Sequence, residues 1–161
     1  MSVIRFISDP HFHHKNMAIR RGFNDEIEMN EYIIKQWNKI VSKRDVTYIL
    51  GDITMEKSNY KILNQLNGLK KVVLGNHDKP QHIKELLKYV NSVAGMVDFK
   101  DKEFGKIILT HCPIHPQELK YRFKYNIHGH VHENSIKNNQ YINVCMEKIH
   151  YTPKLLKELI N

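Results

Sequence analysis

Short β-rich runs recur along the chain, and each stops at a residue able to bind a metal or a phosphate. Val3 to Ile7 ends in Ser8-Asp9-Pro10-His11, Val46 to Leu50 in Gly51-Asp52, and Lys71 to Leu74 in Gly75-Asn76-His77-Asp78. Lys106 to Thr110 ends in His111-Cys112-Pro113, and Ile127-His128-Gly129-His130-Val131-His132-Glu133-Asn134 carries histidines on alternate positions. In a straight strand, alternate side chains share a face, so those imidazoles would crowd together. In α/β sheets, functional groups collect where the carboxyl ends of strands meet the loops. Strand ends that repeatedly deliver Asp, Asn and His imply one convergent site and a sheet fold that presents it.

Helical spacing fills the gaps. From Asp25 to Val41 the apolar residues Ile33, Ile34, Trp37, Ile40 and Val41 mark a helix with one buried face. Ser58 to Asn67 fits a short helix with Ile62, Leu63 and Leu66 inward, closed by Gly68. Pro80 suits the first turn of a helix running to about Tyr89. Met96 to Phe99, a turn at Lys102 to Gly105, and Lys106 to Thr110 read as a hairpin. Tyr141 to Cys145 reads as a last strand, and Thr152-Pro153 as the cap of a closing helix to Ile160. The alternation predicts an α/β fold, and no repeat or linker interrupts it.

A length of 161 residues suits one domain spanning 1–161, with 41% hydrophobic and 26% charged residues as in ordinary globular chains. No stretch approaches a membrane span, and the first residues run straight into a polar cluster. They read as a structural strand and not a signal peptide, so a cytoplasmic protein without a membrane partner is expected. Cys112 and Cys145 match no disulfide framework or zinc-finger spacing and are expected to be reduced, buried thiols. The net charge of +8 is spread along the chain, densest at Lys43-Arg44 and Lys70-Lys71. A mildly basic, solvated surface follows, which suits an anionic substrate and leaves a nucleic-acid partner open.

Imidazole mixed with carboxylate suits Mn²⁺, Fe, Zn²⁺ or Ni²⁺, whereas oxygen-only sets suit Mg²⁺ and Ca²⁺. The available donors are too many for one such ion with an open position. They fit two divalent ions roughly 3.5–4 Å apart that share a carboxylate. Against only Asp9 and Asp52, two such ions leave a local charge of about +2, which attracts a phosphate.

In this light the chain resembles the calcineurin-like metallophosphoesterases. The resemblance rests on Asp9-Pro10-His11, Gly51-Asp52, Gly75-Asn76-His77-Asp78, Thr110-His111 and Gly129-His130-Val131-His132, in that order. It implies a four-layer α/β fold: two mixed β-sheets packed face to face as a sandwich, with helices outside. It also implies two divalent metal ions, with Mn²⁺ foremost and Fe, Zn²⁺ or Ni²⁺ as alternatives. Asp9, His11, Asp52 and His132 would hold one ion. Asp52, Asn76, His111 and His130 would hold the other, with Asp52 bridging. Gly129 would give the backbone latitude to aim the two histidines. His77 matches the histidine that faces the substrate, and Asp78 would orient its imidazole.

His128 lies before the motif and reads as a packing or outer-sphere residue. His13, His82, His115 and His150 match no metal position. His14, near the first loop, and Arg20 and Arg21 after it are candidates for phosphate contact, with a solvated surface as the alternative. The resemblance extends poorly to the protein phosphatases of the superfamily. Ile53-Thr54-Met55 stands where they continue with Asp-Arg-Gly, and Leu74 stands where they place Arg. The bare core leaves no room for a cap or accessory domain, so an open, shallow site is expected. The nearest match is a small phosphodiesterase acting on a nucleotide or cyclic nucleotide. A nuclease, a phosphomonoesterase and a non-catalytic scaffold on the same fold are the alternatives.

Overall fold

The computed structural model describes residues 2–160, and in it the β-rich runs form two mixed sheets. In the first, β1 (Ile4–Ile7), β2 (Val46–Ile49), β3 (Leu69–Val73) and β4 (Ser92–Ala94) run parallel in that order outward. The second starts with the antiparallel hairpin of β5 (Val97–Asp101) and β6 (Gly105–Leu109). It continues with β7 (Tyr125–His128) and β8 (Tyr141–Asn143), parallel to β6. Finally β9 (Lys154–Leu155) returns to the first sheet, antiparallel to β1.

Neighbouring residues on a strand face opposite ways. Phe6 and Ile7 are both 0% exposed, and so are Ile49 and the following Leu50. Ile107, Ile108 and Leu109 are likewise buried in succession. Runs of this kind require cover on both faces, one from the opposing sheet and one from helices. The sheets meet through aromatic contacts. Phe6 stacks on Tyr48 at 5.8 Å, and both meet Phe99 of the second sheet edge-on, at 5.5 and 5.8 Å. At the carboxyl end of β1 the sheets are also stitched through backbone, Ser8 N donating to the Val144 carbonyl at 2.8 Å.

Two helices precede β2: α1 (Lys15–Arg20) and α2 (Glu26–Ile40). The Asp25 side chain caps α2 by accepting from Glu28 N at 2.8 Å. Met29, Ile33 and Trp37, at i, i+4 and i+8, are buried in the core cluster beside the first sheet's apolar residues. Trp37 Nε1 also donates to the Asn67 carbonyl at 2.9 Å, tying α2 to the approach of β3. The shorter helices are α3 (Ile83–Leu86), α4 (Pro116–Arg122) and α5 (Leu156–Leu159). No described helix is long and apolar enough to cross a membrane.

Several expectations need correction. Pro153 does not open a helix. Lys154 and Leu155 pair with Phe6 and Arg5, giving the free edge of β1 a partner, and the helix starts only at Leu156. Lys57–Gln65 winds as a 3₁₀ helix, and Gly68 serves the β3 approach, where a Cβ would stand 2.7 Å from the Asp45 carbonyl oxygen. Cys145 is buried as expected, but Cys112 is exposed. The sequence reading passed over β4, α1 and α4, which are short and carry little apolar periodicity.

Replacing Trp37 by Phe should cost about 1–3 kcal/mol, because it removes the donor to the Asn67 carbonyl. Denaturant unfolding followed by circular dichroism measures this. Unchanged stability would show that the bond contributes nothing net.

Candidate metal centre

The carboxyl ends of five strands bring the candidate donors together. Asp9 and His11 follow β1, Asp52 follows β2, Asn76 and His77 follow β3, His111 follows β6, and His130 and His132 follow β7. The backbone here is unusual. Asp9 (φ 57°), His11 (48°), Asp52 (53°), His130 (70°) and His132 (49°) all lie in the left-handed region. A non-glycine residue there costs about 1–2 kcal/mol, and such strain concentrates where a side chain must be aimed for function. The histidine run is therefore no strand. β7 ends at His128, and the next two histidines are placed by separate left-handed turns.

Two glycines let these loops close up. A Cβ on Gly75 would run into Asp52 Oδ1, and one on Gly129 into Ser8 Oγ and Asp9 Oδ2. Gly129 does not adopt a positive φ, so close approach and not backbone latitude explains it.

The donor atoms form two groups that meet at Asp52 Oδ2. In the first, His11 Nε2 lies 3.5 Å from Asp9 Oδ1 and 3.7 Å from Asp52 Oδ2, and His132 Nε2 lies 4.0 Å from Asp9 Oδ1. In the second, His111 Nε2 lies 3.4 Å from Asp52 Oδ2 and 2.8 Å from Asn76 Oδ1, which is 3.0 Å from His130 Nδ1. These separations suit ligands around ions bound at about 2.0–2.2 Å. Asp9 Oδ1 and both ring nitrogens of His11 are buried without a hydrogen-bond partner. Buried polar atoms are rarely left so, and a cation held between Asp9 Oδ1 and His11 Nε2 would satisfy those two.

Neighbouring groups orient the donors. His111 Nδ1 lies 2.7 Å from the Leu50 carbonyl, which fixes the proton there and leaves Nε2 as the lone-pair donor. His132 Nδ1 is held in the same way by Glu147 Oε1 at 3.2 Å. Asp9 Oδ2 accepts from the Ser8 hydroxyl (2.6 Å), the His130 amide (2.8 Å) and the Cys145 thiol (3.2 Å), so Oδ1 faces the centre. Burial pushes the Asp9 carboxyl up, but His11, His111, the Ser8 hydroxyl and the His130 amide hold it well below the usual carboxylate range. Burial also opposes ionisation of Glu147, yet His132 and Arg21 hold it down at about 2. Burial pushes the Cys145 thiol far up, so it stays a donor to Asp9.

His77 stands at the rim, its side chain 41% exposed and its Nε2 3.9 Å from Asp52 Oδ2. Asp78 does not orient that ring. Its carboxylate accepts from the backbone amides of Asp52, Ile53 and Gly75 at 2.8, 3.2 and 2.8 Å, locking two donor loops together. Arg21 does not face the site either: its guanidinium is bound to Glu147 and to the Asp9 and Pro10 carbonyls. Arg20 pairs with Glu133 on the surface. His14 caps α1 through Nδ1, 3.2 Å from Met17 N, with its ring centroid 5.6 Å from that of His11. His128 is buried with Nδ1 against the Gly129 carbonyl.

Sequence reasoning missed Glu147. It lies in the loop after β8, so the rule that found the other strand-end residues could have found it.

No family model matches the chain. An uncharacterized protein of Methanocaldococcus jannaschii is 32% identical over 173 residues, covering 99% of this chain and 90% of its own length. The crystal structure of a protein of unknown function from Aquifex aeolicus superposes with a TM-score of 0.81 at 27% identity, over 98% of this chain and 97% of the other. A structure described as a novel archaeal phosphodiesterase superposes with a TM-score of 0.53 at 20% identity, over 88% of this chain and 81% of its own, a likeness of fold.

His130→Ala and His132→Ala should each lower the content of divalent metal measured by elemental analysis, and His128→Ala should not. Equal loss in all three variants would contradict this division of the histidine run.

Proposed function

The chain belongs to the same family as the uncharacterized Methanocaldococcus jannaschii protein, and we propose that it is a two-metal phosphoesterase, specifically a phosphodiesterase acting on a small nucleotide-like ester. The observation that carries this reading is the position of Asp52 Oδ2. It lies 3.7 Å from His11 Nε2 and 3.4 Å from His111 Nε2, common to two groups of donors. Asp9, His11, Asp52 and His132 would hold one divalent ion, and Asp52, Asn76, His111 and His130 the other. Manganese is the ion we favour. Such ions supply Lewis-acid polarisation of a phosphoryl group and activation of water at neutral pH. The likeness of fold to an archaeal phosphodiesterase agrees with this reading.

The chain's own residues account for the remaining chemistry. His77 donates its amide to Asp52 Oδ1 at 2.9 Å, which fixes its backbone while its imidazole stays at the rim. From there the ring can give a proton to the departing ester oxygen. An alkoxide leaves poorly without that proton, and general acid catalysis of this kind contributes typically about 10²–10⁴-fold. His14 accepts at Nδ1, so its neutral ring carries the proton on Nε2. Burial, and then His11, lower its pKa and favour that neutral form. It thereby offers a phosphate oxygen a donor beside the first group of ligands.

Chelation should abolish hydrolysis of a nucleotide diester and Mn²⁺ should restore it, with Asp52→Asn the most damaging ligand variant. Full activity in protein shown to be metal-free would sink the proposal. At matched metal loading, His77→Ala should slow the nucleotide ester by about 10²–10⁴-fold. It should largely spare a nitrophenyl diester, whose leaving group needs no proton. An equal fall on both substrates would remove the general-acid role.

A further inference from the structure

A single guanidinium joins the loops that carry Asp9, His11 and His132. Arg21 Nη2 donates to the Asp9 carbonyl at 2.7 Å and Nη1 to the Pro10 carbonyl at 3.1 Å. Its Nε donates to Glu147 Oε1 at 2.8 Å, and the same oxygen lies 3.2 Å from His132 Nδ1. The Arg21 side chain is 1% exposed, with the Tyr151 ring 5.9 Å from its central carbon. Glu147 Oε2 is buried without a hydrogen-bond partner among the described residues, so Oε1 carries the contacts of this carboxylate.

The arrangement has a direction. A guanidinium is a rigid planar fork, so it fixes where Glu147 sits relative to the Asp9-Pro10 peptide. Glu147 then fixes the His132 ring, with the proton on Nδ1 and Nε2 turned toward Asp9 Oδ1 at 4.0 Å. A carboxylate on the far nitrogen also makes an imidazole a more basic ligand. The side chains of the other donor group touch neither Arg21 nor Glu147: His111 Nδ1 lies against the Leu50 carbonyl and His130 Nδ1 against Asn76 Oδ1.

We propose that Glu147, clamped by Arg21, is a positioning residue that sets the affinity of one metal position, that of Asp9, His11, Asp52 and His132, and leaves the other unaltered. This rests on the two-metal reading above. It explains a largely buried ion pair beside the centre that makes no hydrogen bond to the second donor group. It also means that the two positions can differ in affinity.

The test is a Mn²⁺ titration by calorimetry and electron paramagnetic resonance on the full chain, comparing the wild type, Glu147→Ala, Glu147→Gln, Arg21→Met and the double variant Arg21→Met/Glu147→Ala. The wild type should bind two ions and show an exchange-coupled spectrum. Glu147→Ala should keep one ion at unchanged affinity and bind the other about 10–100-fold more weakly, so that a single-ion spectrum persists at low Mn²⁺. Glu147→Gln, which still accepts from His132, should lose less. The double variant should be no weaker than Glu147→Ala, because the two residues act through one another. The retained ion is the internal control for folding. Two ions bound with wild-type affinities in Glu147→Ala would overturn the proposal. Equal weakening of both ions would overturn it too, since the pair would then be general support for the fold. A wild type that binds no ion at all would instead remove the two-metal reading, and this inference with it.

Discussion

The peptide between Gly51 and Asp52 is the fixed point on which the centre is assembled. Its carbonyl and the next one along receive the amides of the first loop, Asp9 N on Gly51 O at 3.1 Å and His11 N on Asp52 O at 3.0 Å. Its own amide goes to Asp78, and the Asp52 carboxylate takes the amide of His77. Gly51 itself has φ +88°, and a Cβ there would stand 2.5 Å from Gly75 and 2.7 Å from the His111 ring. Loops after β1, β3 and β6 are therefore packed directly against one turn after β2. An error at that turn would be transmitted to the donors on all three of those loops.

This dependence sheds light on the polar residues that surround the donors. Carboxylates buried wholly or in large part are tolerated only when paired or hydrogen-bonded. Asp9, Asp78 and Glu147 each meet that requirement in a different way: hydroxyl, thiol and amide donors for the first, three amides for the second, and Arg21 with His132 for the third. Each network also serves a mechanical purpose, because it ties loops that are remote in sequence. The site is held by its outer sphere as much as by its donors.

The sequence made the donors legible and left their supports hidden. Strand ends announce themselves through apolar runs followed by Asp, Asn or His, and that rule found Asp9, Asp52, Asn76 and His111 together with the hairpin of β5 and β6. It could not show which way a side chain turns. Asp78 sits next to His77 in the chain, yet its carboxylate points back to amides 25 and 26 residues earlier. Arg21 looked like an exposed cation because its partner Glu147 lies 126 residues away. The short strands β4 and β9 escaped because tertiary pairing, and not local preference, creates them. Left-handed histidines are likewise invisible in a sequence, since nothing in the residue type announces a positive φ.

The donors are split between the sheets. Asp9, His11, Asp52 and Asn76 belong to the first, and His111, His130 and His132 to the second. Away from them, mid-strand, the aromatic contacts of Phe6, Tyr48 and Phe99 join the sheets by apolar packing. Cations at the donor edge would thus act as a clasp on a book whose spine is hydrophobic. Ion binding would add to folding free energy in proportion to the logarithm of free metal over its dissociation constant. The shape of the open mouth, and with it the fit of anything placed there, would then follow the metal supply of the surroundings.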